Sequence, residues 1–197
     1  MPVGQVFEDI EPRLVRIDAE CDAVWTVLSD ARLGAAPVLY VLRDGALREL
    51  ARGAPIGLRH RWLNPVGAAD LDGDGEVEFA WIRTPHIGGI LHIARIEGAA
   101  LRTVARHAGV SNHVYGATEL GLGAVVPGAP PYIVAPTQDR KALFVLYFDG
   151  RAIREQRRLS LPARQCGDLQ VQAGALTLES CDGTKMTLSN REIGEIR

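Results

Sequence analysis

One unit, an apolar run followed by a glycine-containing turn and a second short run, occurs three times along the chain. The copies span residues 38–50, 89–104 and 142–155, and their turn glycines, Gly45, Gly98 and Gly150, lie 53 and 52 residues apart. An acidic residue followed by glycine is typical of a β-hairpin, because glycine readily adopts the positive φ that a tight turn requires. The pattern therefore predicts one β-hairpin repeated at a nearly constant spacing.

A further β-type run precedes each hairpin at the same spacing. These runs cover residues 23–28, 77–82 and 131–135 and are rich in β-branched and aromatic side chains. Three to four short strands in each segment of about 50 residues are typical of the blades of a β-propeller. A β-sandwich would also contain many short strands, but it would not require so long a period. We therefore predict an all-β chain folded as a β-propeller, with antiparallel meander sheets as its blades.

The C-terminal segment departs from this spacing. Three short β-type runs, at residues 168–172, 175–179 and 184–188, follow one another closely with glycine-containing turns between them. They predict a three-stranded meander that forms a compact fourth blade. Because four blades is the small end of the range for propellers, an incomplete larger ring and an open array stay as alternatives. The predicted repeats, within a single domain of residues 1–197, are roughly 14–63, 67–115, 116–165 and 166–197.

The charge balance limits the classes of partner. The chain has 22 Lys and Arg residues against 24 Asp and Glu residues, which argues against a dedicated binder of nucleic acid or of anionic membranes. The longest uncharged run, residues 120–138, contains four prolines and is not a membrane span. We expect a monomer that binds no nucleic acid and does not insert into a membrane.

Five carboxylates within nine residues form the most specific motif, the acidic loop (residues 70–78). They are Asp70, Asp72, Asp74, Glu76 and Glu78. Such close like charges repel one another unless a cation lies among them. Oxygen ligands at alternate positions, with Gly75 at the sixth position to allow a sharp turn, suit calcium. We predict one Ca²⁺ site to which Glu76 contributes its backbone carbonyl and the other four residues contribute carboxylates. The alternative is a solvated acidic turn.

The acidic loop has a β context. An EF-hand would need a glutamate at position twelve, where this chain has Trp81, and residues 76–82 have the pattern of a strand. The pattern Asp-x-Asp-x-Asp-Gly-x-x-Glu before an apolar strand resembles the FG-GAP/VCBS repeat of integrin-α-like β-propellers. The resemblance covers roughly residues 10–161, although one repeat alone carries the full motif. It implies calcium held between the outermost strand of one blade and the innermost strand of the next. It also implies an exported, non-catalytic binding or scaffold module.

Cys166 and Cys181 are predicted to form a disulfide. If residues 173 and 174 form a two-residue turn, Gln172 faces Ala175 and the two cysteines lie opposite each other, within the separation that a disulfide tolerates. A pair of reduced thiols is the alternative. A disulfide implies an oxidising compartment, so we predict a periplasmic or secreted protein. The first residues lack the basic and apolar segments of a signal peptide, and we expect a removed leader or a shortened chain.

Two segments at equivalent places in successive repeats could form one ligand surface. They contribute Arg61 and Trp62, and Asn112, His113 and Tyr115. Because loops at one end of a propeller converge near its channel, these residues predict a polar and aromatic patch for a protein or carbohydrate ligand. The alternative is that the aromatic rings pack between blades while the polar residues cap turns.

Sequence motifs for catalysis are missing. The five histidines have no paired zinc spacing, and the chain has neither a nucleophile elbow nor a phosphate-binding loop. We therefore expect a non-catalytic protein. The alternative is a hydrolase or lyase whose active site lies on the channel face of the propeller.

Overall fold

The structure, a computed structural model, describes residues 4–172 and 175–193. After β1 (Gln5–Phe7), the first meander contains β2 (Arg13–Arg16), β3 (Asp22–Asp30), β4 (Gly34–Arg43) and β5 (Ala46–Gly53). The second contains β6 (Leu63–Ala69), β7 (Glu78–Arg83), β8 (Ile90–Glu97) and β9 (Ala100–Ala108). The third contains β10 (Ala124–Val126), β11 (Tyr132–Pro136), β12 (Ala142–Phe148) and β13 (Ile153–Ser160). A final meander of β14 (Gln170–Gln172), β15 (Ala175–Glu179) and β16 (Lys185–Ser189) ends at one helical turn, α1 (Asn190–Ile193).

The predicted hairpins are present. Strands β4 and β5, β8 and β9, and β12 and β13 each pair antiparallel across their glycine turns. In the first of these turns Asp44 and Gly45 have φ values of 53° and 72°, the left-handed conformation that matches the twist of a two-residue hairpin. The all-β prediction is thus confirmed. In the described part of the chain, no helix is both long enough and apolar enough to cross a membrane.

Three apolar cores each join two successive meanders. Trp25 of β3 and Phe79 of β7 are fully buried in the first core, where their rings meet edge to face at 5.4 Å. Ile93 of β8 packs in the second core with Ile133 of β11. Leu143 of β12 and strands of the final meander form the third. Because side chains alternate between the two faces of a strand, β7 and β12 each contribute side chains to two cores, one on each face.

The strand pairing departs from separate blades. The outer strands β5 and β9 pair in parallel through Arg52 with Ala100 and Gly53 with Leu101, so β1 and the first two meanders form one curled nine-stranded sheet. An unpaired sheet edge presents free backbone groups, and here the Arg52 N–H donates to the Ala99 carbonyl at 3.1 Å. The propeller arrangement and the four repeat boundaries stay predictions.

The predicted disulfide between Cys166 and Cys181 is present, with 4.8 Å between the Cα atoms. Gln172 faces Ala175 as predicted, although the turn at residues 173–174 lies outside the described residues. The N–H groups of Cys166 and Gly167 both donate to one carbonyl, that of Glu179. The strand register therefore shifts between the turn and the cysteines. The cysteines are therefore diagonal rather than directly opposite. A disulfide is typical of proteins in oxidising compartments and indicates a location outside the cytosol.

Candidate functional site

The acidic loop connects β6 to β7 within the second meander, and Ala69 pairs with Glu78 at its base. This position corrects the sequence analysis, which placed the loop between two blades. Pro65 and Gly67 interrupt the strand pattern before the loop, so the sequence analysis did not predict β6. A register shift between these two residues allows β6 to pair with β7 in spite of them.

Carboxylates fold the acidic loop by accepting backbone hydrogen bonds. The two oxygens of Asp70 accept from the N–H groups of Gly73 at 2.7 Å and Gly75 at 2.9 Å. Both glycines have positive φ, 81° and 92°, which favours glycine over other residues. Glu78 is fully buried, and its Oε2 accepts from the Leu71 N–H at 2.7 Å. The loop therefore turns carboxylates inwards that would otherwise point into solvent.

Three of the five predicted ligands come together. Carboxylate oxygens of Asp70, Asp72 and Glu78 all lie within 4.8 Å of one another, and we call these residues the acidic cluster. The Asp74 carboxylate is drawn instead to a neighbouring arginine, and the predicted role of the Glu76 backbone carbonyl stays a prediction. The acidic cluster could hold a metal ion, but its geometry does not specify which one.

Arg95 on β8 is a site residue that the sequence analysis missed. Its Nη2 lies 2.6 Å from Asp72 Oδ2 and 2.8 Å from Asp74 Oδ2. Its Nε donates to Glu78 Oε1 at 2.6 Å. One guanidinium thus pairs with three carboxylates, two of which belong to the acidic cluster.

A signal for this arginine was available in the hairpin repeat. Arg95 lies three residues before the turn glycine Gly98, and the same position in the other two hairpins holds Leu42 and Tyr147. The hairpin that follows the acidic loop is therefore distinguished by a cation at that position. Comparing the three copies position by position would have found it.

The donor set and its charge fit a divalent cation. Five carboxylates less the one guanidinium of Arg95 leave a net charge of −4 around the acidic loop. Burial raises the pKa of Glu78, against the opposing effects of its hydrogen bonds from Leu71 and Arg95. Carboxylate and carbonyl oxygens are the ligands that calcium prefers, and a bound cation would favour the ionised form of Glu78.

A hairpin of the third meander closes the acidic cluster on one side. Gly150, with φ of 80°, lies so near that a Cβ atom built there would be 2.9 Å from Asp72 Oδ2. The Phe148 ring lies 5.8 Å from the Arg95 guanidinium carbon. The acidic cluster is therefore located where the second meander meets the third.

An aromatic groove of about 630 Å³ lies where β6 begins and β7 ends. Trp62 stacks against His86 at 6.2 Å between ring centres, and His113 meets Trp62 edge-on at 4.9 Å. Tyr115, 86% exposed, meets His86 edge-on at 5.5 Å. Of the predicted surface residues, Arg61, Trp62 and Tyr115 line this groove. His113 is buried next to it and contacts the Trp62 and His86 rings.

Asn112, the fifth predicted surface residue, lies in the interior. Its Nδ2 donates to the backbone carbonyls of Asn64 and Pro65, both at 3.2 Å, and the Asn64 amide donates back to the Asn112 carbonyl at 3.2 Å. Both side chains are fully buried. Asn112 therefore ties β6 to the segment that leads to β10 and is not part of the groove.

A direct hydrogen bond joins the two histidines of the groove, which the sequence analysis did not pair. His86 Nε2 and His113 Nδ1 are 2.6 Å apart, and His113 Nε2 is 3.0 Å from the Ala117 carbonyl oxygen. Since a carbonyl can only accept, His113 carries its proton on Nε2, and His86 must donate from its own Nε2. Burial lowers the pKa of both rings, so this neutral arrangement is favoured at pH 7.

The rim of the groove contains backbone strain. His60 and Thr84 line the groove with φ values of 59° and 49°, a region that β-branched residues such as threonine rarely adopt. The turn is held by the Thr84 N–H, which donates to the Trp62 carbonyl at 3.0 Å. Strain of this kind persists where the surrounding structure imposes it, and it is found preferentially at functional sites.

Comparison with known proteins finds no match to a family model and no match to a curated protein. The fold and the site together define the class: it is an all-β, disulfide-linked protein with an acidic cluster that could hold a metal ion.

Proposed function

We propose that this protein is a non-catalytic β-propeller of the FG-GAP/VCBS type, stabilised by one calcium ion and acting outside the cytosol as a binding or scaffold module. The observation that carries the proposal is the convergence of the Asp70, Asp72 and Glu78 oxygens within 4.8 Å. Calcium is a hard cation, and such a set of carboxylates suits it better than a softer metal.

A cavity near the first strands of the meanders supports the propeller arrangement. This cavity of about 240 Å³ is lined by Arg13 of β2, Pro65 of β6, Gly123 before β10 and Asp168 before β14. Every meander thus contributes to one cavity, as expected if their first strands surround a common axis. The three apolar cores between successive meanders fit the same arrangement, in which neighbouring blades pack face to face.

The acidic loop gives calcium a structural role. Asp70 and Glu78 hold the β6–β7 connection through their backbone hydrogen bonds, and Asp72 touches the hairpin turn of the third meander at Gly150. An ion bound to these carboxylates would neutralise their repulsion and link two meanders. Because the ion would bind the folded state alone, calcium would stabilise the fold by mass action.

Thermal unfolding in calcium and in EDTA tests the proposal. At calcium about a hundredfold above its dissociation constant, the ion contributes about 2.7 kcal/mol. For a chain of this size, that corresponds to a rise in melting temperature of about 5–10 °C. Asp72→Ala should abolish the rise because it removes one of three convergent ligands.

A matched control distinguishes the site from a general effect of calcium on an acidic surface. Asp44→Asn removes a carboxylate from a hairpin turn of the first meander, where asparagine also tolerates positive φ. This variant should keep the full wild-type rise. An identical melting temperature of the wild-type protein in calcium and in EDTA would overturn the proposal.

A further inference from the structure

The aromatic groove combines aromatic rings with a cation. The exposed Tyr115 and the half-buried Trp62 provide the rings, and the exposed Arg61 guanidinium provides the positive charge. The remaining lining residues are uncharged, so the described lining contains no carboxylate. Within residues 4–172 and 175–193, moreover, no carboxylate pairs with the exposed Arg61 guanidinium. The groove therefore favours a ligand that carries a negative charge.

The aromatic rings set the shape of that ligand. Tyr115 is 86% exposed and is held at the edge of the groove by its contact with the His86 ring. An exposed aromatic face suits a ring that is apolar on one side and hydrated on the other, because only one side of the ligand is removed from water. A pyranose sugar has these two sides, with C–H groups on one face and hydroxyl groups around its edge.

The wall of the groove is formed before any ligand arrives. The hydrogen bond between His86 and His113 fixes the ring against which Trp62 stacks. The turn that contains His86 is closed by the Ile87 N–H, which donates to the Thr84 carbonyl at 2.9 Å. A preformed wall lowers the entropy that binding must overcome.

We propose that the aromatic groove binds acidic sugars. A uronate residue would lie with its C–H face against Tyr115 and Trp62 and its carboxylate toward Arg61. This inference rests on the proposed role as a binding module and names its ligand class. It does not depend on calcium, because the acidic cluster lies in the β6–β7 connection at the other end of those strands.

Calorimetric titration with a galacturonic acid trimer and a galactose trimer tests the inference, since the two probes differ in carboxylate against hydroxymethyl groups. We expect the acidic trimer to bind at least tenfold more tightly than the neutral one. Tyr115→Ala and Arg61→Gln should each weaken the acidic trimer at least tenfold, whereas Arg48→Gln, an exposed arginine on β5, should leave its affinity unchanged.

The possible results separate this inference from the proposed function. Equal affinity for both trimers, binding of neither, or full binding by Tyr115→Ala would each overturn the sugar assignment. Melting curves of the variants serve as a folding check, because Tyr115 and Arg61 are exposed and their replacement should leave the melting temperature unchanged. A calcium-dependent rise in melting temperature without sugar binding would leave the proposed function standing and remove only this inference.

Discussion

At the scale of single residues, Arg95 shapes the acidic cluster. Glu78 is fully buried, and a buried carboxylate without a partner would be costly. Arg95 supplies that partner and pairs with Asp72 as well. Breaking a buried pair by removing one partner is strongly destabilising, because the other charge stays behind uncompensated.

Arg95→Gln should therefore lower the free energy of unfolding in EDTA by about 3–5 kcal/mol, measured by urea denaturation. Calcium should recover part of the loss, since the ion would neutralise the same carboxylates.

Arg102→Gln is the matched control, because Arg102 also forms an ion pair, with Glu97, but on the surface. Exposed pairs contribute about 0–1 kcal/mol, so its effect should be small. Equal losses for the two variants in EDTA would contradict the role assigned to Arg95.

His92 is a second residue whose charge affects the fold. Its ring is buried against Trp81 at 5.4 Å, and its Nδ1 lies 3.1 Å from Thr103 Oγ1. Burial, together with the nearby charges of Arg106 and Arg83, lowers the pKa of His92 to about 4. The folded protein therefore holds this ring neutral at a pH where the unfolded chain already protonates it.

The free energy of unfolding should fall as the pH drops from about 6.5 to about 4, because within this window the unfolded state binds the additional proton. The loss from His92 alone is on the order of 3 kcal/mol. Urea denaturation at pH 7 and pH 4.5 should show a smaller loss for His92→Gln than for the wild type. A control, His60→Asn at an exposed position, should retain the wild-type loss, and an unchanged loss in His92→Gln would contradict the prediction.

At the scale of elements, local signals decided which strands could be predicted. The β-type runs at 23–28, 77–82 and 131–135 correspond to β3, β7 and β11, because branched and aromatic side chains favour strands. The strand β6 was missed because Pro65 and Gly67 are unfavourable within a strand and are accommodated by a register shift. The parallel pairing of β5 with β9 depends on residues far apart in the sequence and has no local signal.

The candidate site likewise contains residues that the local sequence predicted and residues that it did not. Spacing within the acidic loop was enough to place Asp70, Asp72 and Glu78 together, since one turn with two positive-φ glycines brings them there. The contribution of Arg95 comes from a neighbouring strand, and the His86–His113 pair joins two loops. Such contacts between separate elements are determined by tertiary packing rather than by local sequence.

The disulfide joins the segment before β14 to the turn after β15, and its cysteines are 15 positions apart in the sequence. Closing a loop of that length stabilises a protein by about 3 kcal/mol in the chain-entropy model. The double variant Cys166→Ser and Cys181→Ser should lose that amount in urea denaturation, and the wild type with reducing agent should match it. Cys21→Ser removes the free cysteine and keeps the disulfide, so without reducing agent its free energy of unfolding should equal that of the wild type. Equal stability of the oxidised wild type and the double variant would contradict the prediction.

At the scale of the whole molecule, the acidic cluster lies at a junction. Asp72 touches the turn at Gly150 of the third meander, and an apolar core joins the same two meanders. A cation at this point would therefore stabilise the packing of one meander on the next as well as a single loop. The same junction explains why one site could affect the melting of the entire chain.

An anomalous difference map from crystals grown with calcium gives the most direct test. The proposal predicts one peak at about 2.3–2.6 Å from oxygens of Asp70, Asp72 and Glu78. The peak should vanish in Asp72→Ala crystals grown under the same conditions. A map without a peak at these carboxylates at saturating calcium, in which Arg95 still provides the only cation beside Asp72 and Glu78 in the described residues, would contradict it.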